Sequence, residues 1–121
     1  MSKEMDGIKQ LSYEELKEIY EKSDQDKILV DVREIDEYIA GHIPRIPLIP
    51  MSEIAEKAGD FDKSKEHIFI CRSGRRSQQV ALFFQSQGIT SYNFSGGMLT
   101  WEGPQETGEE NIVTEVKDIY K

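Results

Sequence analysis

Hydrophobic and polar positions along the chain alternate between two periods. In residues 12–22, "SYEELKEIYEK", Leu16, Ile19 and Tyr20 recur at the spacing of one helix face. Ser12 and Glu15 have the offset of a capping box, so a helix is expected from about Ser12. "KILVDV" (27–32) is a short apolar run broken only by Asp31, which suits a strand covered on both faces. In "EIDEYIAG", Ile35, Tyr38 and Ile39 return to helical spacing, and Gly41 is expected to stop that helix as a left-handed cap. Pro44, Pro47 and Pro50 then force an extended connection. "SEIAEKAG" reads as a short helix capped by Ser52 and ended by Gly59, and "FDKSKE" as a polar loop. "HIFIC" (67–71) is a second buried strand. "SQQVALFFQSQG" sets Val80, Ala81, Phe83 and Phe84 against Gln78, Gln79, Gln85 and Ser86, giving a helix from near Ser77 to Gly88. "SYNF" is a further strand, "SGG" a turn and "MLTWEG" a helical turn. Residues 103–111 are a polar, acidic linker, after which Ile112, Val113, Val116, Ile119 and Tyr120 can line one face of a final helix.

Strand and helix in alternation predict a parallel sheet wrapped by helices, with ligands bound at the carboxyl ends of the strands. The length, 121 residues, fits one domain with a single core. The expected division is a domain over 1–103, then an acidic linker and amphipathic segment over 104–121. A net charge of -8 disfavours nucleic acid and anionic lipid as partners. The longest apolar run, Val80 to Phe84, is far too short to span a membrane, and the amino end has no apolar signal core. A soluble protein of the cytoplasm is expected. One Cys cannot form an internal disulfide, and with two His it cannot build a standard structural zinc site, so no metal or cofactor is expected.

One stretch changes this picture. "FICRSGRRSQQV" (69–80) places the single Cys71 at the end of a buried strand, with Arg72, Arg75 and Arg76 close behind it. The loop runs into a helix, so the thiol faces the positive end of a helix dipole. Successive amides around Gly74 can turn inward as an anion-binding nest. A lone Cys after an apolar strand is often only a small buried hydrophobe. Here each neighbour favours a thiolate over a thiol, which makes Cys71 a candidate nucleophile. His42 reads as a hydrogen-bonding residue beside a helix end rather than a base. His67 lies at the wrong end of its strand to reach the thiol, and Trp101 reads as a core or rim aromatic.

The blocks "LVDVREIDEYIAGHIP", "IFICRSGRRS" and "NFSGGMLTW", in this order and spacing, resemble the single-domain rhodanese-like sulfurtransferases over roughly residues 8–103. The resemblance implies an α/β fold with a parallel five-stranded sheet and helices on both faces. It also implies that Cys71 takes a sulfur from an anionic donor such as thiosulfate, holds it as a persulfide and passes it to an external thiol, protein acceptor or cyanide. Arg72, Arg75 and Arg76 would bind the donor and steady the persulfide, and the amides from Ser73 through Gly74 to Ser77 would surround the terminal sulfur. Asp31 and Arg33 match a supporting Asp-x-Arg near the loop. No second thiol exists to resolve a persulfide within the chain, so the acceptor is external. Two other readings stay open: a non-catalytic or partner-dedicated sulfur-carrier or binding module, and a cysteine phosphatase or arsenate reductase relative. In those enzymes five residues separate Cys from Arg, whereas here Arg76 comes one position sooner. Relatives commonly continue Gly-His-Ile-Pro with Gly-Ala. Here Arg45, Ile46 and Pro47 follow, which leaves the path of that loop open, as is the role of the tail.

Overall fold

The computed structural model describes residues 3–22 and 25–120. In chain order its elements are β1 (Lys3–Met5), β2 (Ile8–Leu11), α1 (Tyr13–Lys22), β3 (Lys27–Asp31), α2 (Ile35–Ala40), α3 (Met51–Ile54), β4 (Glu66–Ile70), α4 (Arg75–Ser86) and β5 (Ser91–Phe94). Short 3-10 segments cover Ala55–Asp60, Gly97–Thr100 and Val116–Tyr120. The described strands form one five-stranded sheet in the order β1-β2-β5-β4-β3. β2, β5, β4 and β3 run parallel, while β1 pairs antiparallel with β2. The sheet is therefore mixed rather than purely parallel. The cause is local: Asp6 and Gly7 both have positive φ (54° and 85°) in a two-residue turn, and so short a loop can only join antiparallel strands.

Alternation along the interior strand β4 divides the core. Ile68 and Ile70 pack with Leu11, Leu16, Tyr20, Phe94 and Trp101 on the face covered by α1. Phe69 and Cys71 point to the other face, among Val80, Ala81 and Phe84 of α4 and Ile54 of α3. Burial of each such side chain stabilises the fold by about 1.5–3 kcal/mol. The period of two thus assigns Cys71 to the side that carries α4.

Local signals explain most boundaries. The Ser12–Glu15 capping box forms: the Glu15 N–H donates to Ser12 Oγ at 3.2 Å and the Ser12 N–H to Glu15 Oε1 at 2.9 Å. α2 ends at Gly41 without the expected left-handed cap. Gly41 is extended (φ 169°), because the next residue must leave the helix straight into backbone pairing with Glu106. Ser52 lies inside the first turn of α3 rather than at its cap, and its hydroxyl donates to Glu34. That helix tightens to 3-10 geometry and runs past Gly59 to Asp60. α4 begins at Arg75, two residues before Ser77, which places Arg75 and Arg76 in its first turn.

Residues 104–120 lie on the body of the fold. His42 and Glu106 exchange backbone hydrogen bonds of 2.9 and 2.8 Å, and Leu48 lies between Asn111, whose carbonyl accepts its N–H, and Val113, whose N–H it accepts. The final segment is a 3-10 turn rather than a longer helix, and it buries Val116 and Ile119 against Ile54 and Phe61. Arg45 takes φ 71°, a left-handed conformation, and its guanidinium lies over the Tyr20 ring at 4.7 Å.

Candidate active site

Strand β4 ends at Ile70 and α4 starts at Arg75, so the chain must turn back within Cys71–Gly74. Gly74 makes the turn possible. It has φ +88°, and a Cβ there would lie 2.1 Å from the Ser95 carbonyl oxygen. The loop is clamped from outside by the N–H groups of Met98 and Leu99, which donate to the carbonyls of Cys71 (2.9 Å) and Arg72 (3.0 Å). Cys71 is 1% exposed, at the floor of this loop. Its Sγ accepts from the Gly74 N–H (3.1 Å) and the Ser77 N–H (3.4 Å), and lies 3.3 Å from the Ser77 hydroxyl. Burial pushes the thiol up. The Ser77 hydroxyl and the amides of Ser77, Ser73 and Gly74 outweigh it, leaving Cys71 below its ordinary value.

The arginines are placed differently from these inward donors. Arg72 and Arg75 are exposed at the rim of the loop, as is Ser73. Arg76 forms a two-pronged pair with Glu37 of α2, at 2.6 and 2.7 Å. That guanidinium holds the Glu37 carboxyl down to about 2, against the opposing effect of burial. The groups converging on sulfur are thus amides and one hydroxyl, with the fixed charges outside them.

Asp31 and Arg33 are buried together: Arg33 Nε lies 3.1 Å from both Asp31 carboxylate oxygens, and Nη2 lies 2.9 Å from Oδ2. The same guanidinium donates to Gly41 O (2.8 Å) and Glu37 O (3.5 Å), so it grips the end of α2. Through α2 the pair reaches Glu37, which in turn holds Arg76. Sequence reading did not single out Glu37. Its one signal was the three-residue offset from Glu34, whose N–H it accepts at 3.1 Å.

A buried amide chain behind the loop also escaped the sequence reading. Asn93 of β5 accepts from the Ser77 hydroxyl (2.5 Å) and donates to Gly74 O (3.0 Å) and Gln10 Oε1 (2.8 Å). Gln10 donates to Gln78 Oε1 (2.7 Å), and Gln78 to Met5 O (2.9 Å). Three neighbouring strands and α4 are tied together behind the loop, and the chain reaches the thiol through Ser77. His67, at the far end of β4, and Trp101, packed edge-on against Tyr13 and Tyr20, take no part.

The fold and site together define a small α/β domain that holds its thiol on an amide-lined loop between strand and helix. The chain belongs to the rhodanese-like sulfurtransferase family: the family's rhodanese-like domain matches residues 12–104. It is 45% identical over 104 residues to a Bacillus subtilis protein named "Putative sulfurtransferase YtwF", covering 86% of this chain and 98% of that one. It is 33% identical over 104 residues to the thiosulfate sulfurtransferase GlpE of Coxiella burnetii, covering 85% and 95%. Among solved structures, the rhodanese-like domain protein of Staphylococcus aureus superposes with a TM-score of 0.73 at 34% identity, covering 82% of this chain and 97% of that one.

Proposed function

We propose that this chain moves sulfane sulfur from thiosulfate, or a persulfide donor, to a thiol or cyanide through a persulfide on Cys71. The observation that carries the reading is the convergence of the Ser73, Gly74 and Ser77 amides and the Ser77 hydroxyl on the single thiol. The Cys71 thiolate attacks the outer sulfur of thiosulfate. An S–S bond forms to Cys71, the bond to the sulfite sulfur breaks, and sulfite departs with the electron pair. The negative charge stays on the terminal sulfur, where inward amides stabilise it without rearrangement. An acceptor thiolate or cyanide then attacks that sulfur and returns the Cys71 thiolate. Arg72 and Arg75, at the rim, attract the dianionic donor, and Arg76 is held beside the loop by Glu37. Asp31 and Arg33 act one step further away, by fixing the end of α2.

The test is thiosulfate-to-cyanide transfer by the purified protein and by Cys71→Ser. Turnover is expected in the first and none in the second, with both folded by circular dichroism. Incubation with thiosulfate should leave the unsubstituted protein one sulfur heavier by intact mass, and a reducing thiol should reverse the change. An equally active Ser variant defeats the proposal. A stable persulfide with no cyanide turnover would instead identify a carrier dedicated to one partner.

A further inference from the structure

His42 is fully buried and lies flat on Tyr38, with ring centroids 3.7 Å apart and planes within 3°. Its Nδ1 is 2.8 Å from the Tyr38 carbonyl oxygen. A carbonyl can only accept, so Nδ1 carries a hydrogen and the neutral ring presents a lone pair at Nε2. That buried Nε2 has no hydrogen-bond partner. It faces Glu106 Oε1 at 3.4 Å, and a carboxylate oxygen of Glu110 completes a cluster whose ligand atoms all lie within 4.8 Å of one another. Three electron-pair donors are gathered in one place.

We propose that His42, Glu106 and Glu110 bind a divalent transition-metal ion, of which zinc is the type, and that this ion pins the C-terminal segment to the body of the fold. The 3.4 Å separation is long for a charge-assisted hydrogen bond, which runs about 2.7–2.9 Å. It equals the edge of a tetrahedron whose corners lie about 2.1 Å from a central ion, roughly 3.4 Å. Donation from Nδ1 to a backbone carbonyl is the outer arrangement that orients a metal-binding imidazole and strengthens it as a ligand. The backbone also prepares the site, because His42 and Glu106 are a directly bonded pair in an antiparallel bridge. One imidazole with two carboxylates suits borderline metals better than calcium or magnesium. The Glu106 side chain is 43% exposed and Glu110 is exposed, which gives the ion an entry path and leaves a position for water. Counting only Cys and His as ligands overlooks this set, since two of its three members are carboxylates.

The experiment is calorimetric titration of zinc into chelator-treated, full-length Cys71→Ser protein, a background that removes the thiolate as a competing ligand. Thermal unfolding of the unsubstituted protein with and without zinc accompanies it. One equivalent should bind, and the melting temperature should rise. Glu106→Gln and Glu110→Gln, both at exposed side chains, should each weaken binding about 10-fold or more and remove the thermal shift. Absence of both heat and shift would overturn the proposal and leave Nε2 of His42 facing Glu106 with no ion between them. Binding undiminished in both Gln variants would overturn it equally, by placing the ion elsewhere.

Discussion

The Ser77 hydroxyl has one hydrogen and two acceptors, Asn93 Oδ1 at 2.5 Å and Cys71 Sγ at 3.3 Å. The Asn93 orientation is fixed from behind, since its Nδ2 must donate to the Gly74 carbonyl and to Gln10, whose own amide is set by Ile8 O and Gln78. Oδ1 therefore faces Ser77 and competes with the sulfur for that hydrogen. Two substitutions separate the roles. Ser77→Ala removes the hydroxyl that draws Cys71 downward, so the thiol should titrate at higher pH. Asn93→Ala releases the Ser77 hydrogen to the sulfur, so the thiol should titrate lower, although the protein loses about 1–3 kcal/mol from the acceptors left unpaired at Gly74 and Gln10. The measurement is iodoacetamide alkylation rate against pH, with denaturant unfolding alongside. Shifts of the same sign in both variants would show that the hydrogen is not shared.

At the scale of elements, the turn after Pro44 holds a bulky residue in a strained backbone conformation. Arg45 has a left-handed φ of 71°, a region that favours glycine. That conformation costs a non-glycine residue about 1–2 kcal/mol, and the guanidinium over Tyr20 offsets roughly 0.5–1 kcal/mol of it. Arg45→Ala retains the strain and loses the ring contact, so it should destabilise by roughly 0.5–1 kcal/mol. Arg45→Gly relieves the strain as it loses the contact and should fall within about 0.5 kcal/mol of the parent in urea unfolding. A Gly variant weaker than the Ala variant would remove backbone strain from the account. The elements legible in the sequence were the apolar runs of β3, β4 and β5 and the helices with an apolar stripe, α1, α2 and α4, and with them the loop bearing Cys71. The β1–β2 hairpin was not read, because Lys3–Met5 and Ile8–Leu11 offer neither an apolar run nor an alternation of period two, though Asp6-Gly7 is a hairpin turn signal. Glu37, Gln10, Gln78 and Asn93 were invisible for another reason. Each is an ordinary polar residue of its own element, and only the strand order together with the packing of α4 on the sheet links positions 10, 78 and 93 behind the loop.

For the whole molecule, closure of the C-terminal segment and stability against acid meet at His67. The ring is buried at the start of β4, its Nε2 is 2.8 Å from the Tyr120 hydroxyl, and that hydroxyl accepts the Asp62 N–H at 2.8 Å. Burial pushes His67 down to about 4, with the Asp62 charge and a backbone contact at Thr90 opposing it. Above about pH 6.5 the ring is neutral in both folded and unfolded chains, and it contributes no pH dependence. Between about 6.5 and 4 the unfolded chain binds a proton that the folded chain refuses, so stability falls as pH falls, by roughly 3 kcal/mol in all. Glu37 adds a separate loss at lower pH. Its carboxylate, held down to about 2 by Arg76, contributes stability present above its ordinary value near 4.5 and lost as pH falls through the folded one. Urea unfolding at a series of pH values should therefore show two successive declines. His67→Phe keeps a ring beside Phe61 and Tyr120 but cannot titrate, so it should flatten the first decline and leave the second, whereas Glu37→Gln should do the reverse. Stability that stays level from pH 6.5 to 4 in the unsubstituted protein would mean that the folded chain accepts the proton. His67 would then donate to Tyr120 as an imidazolium, and protonation would cease to oppose closure of the C-terminal segment.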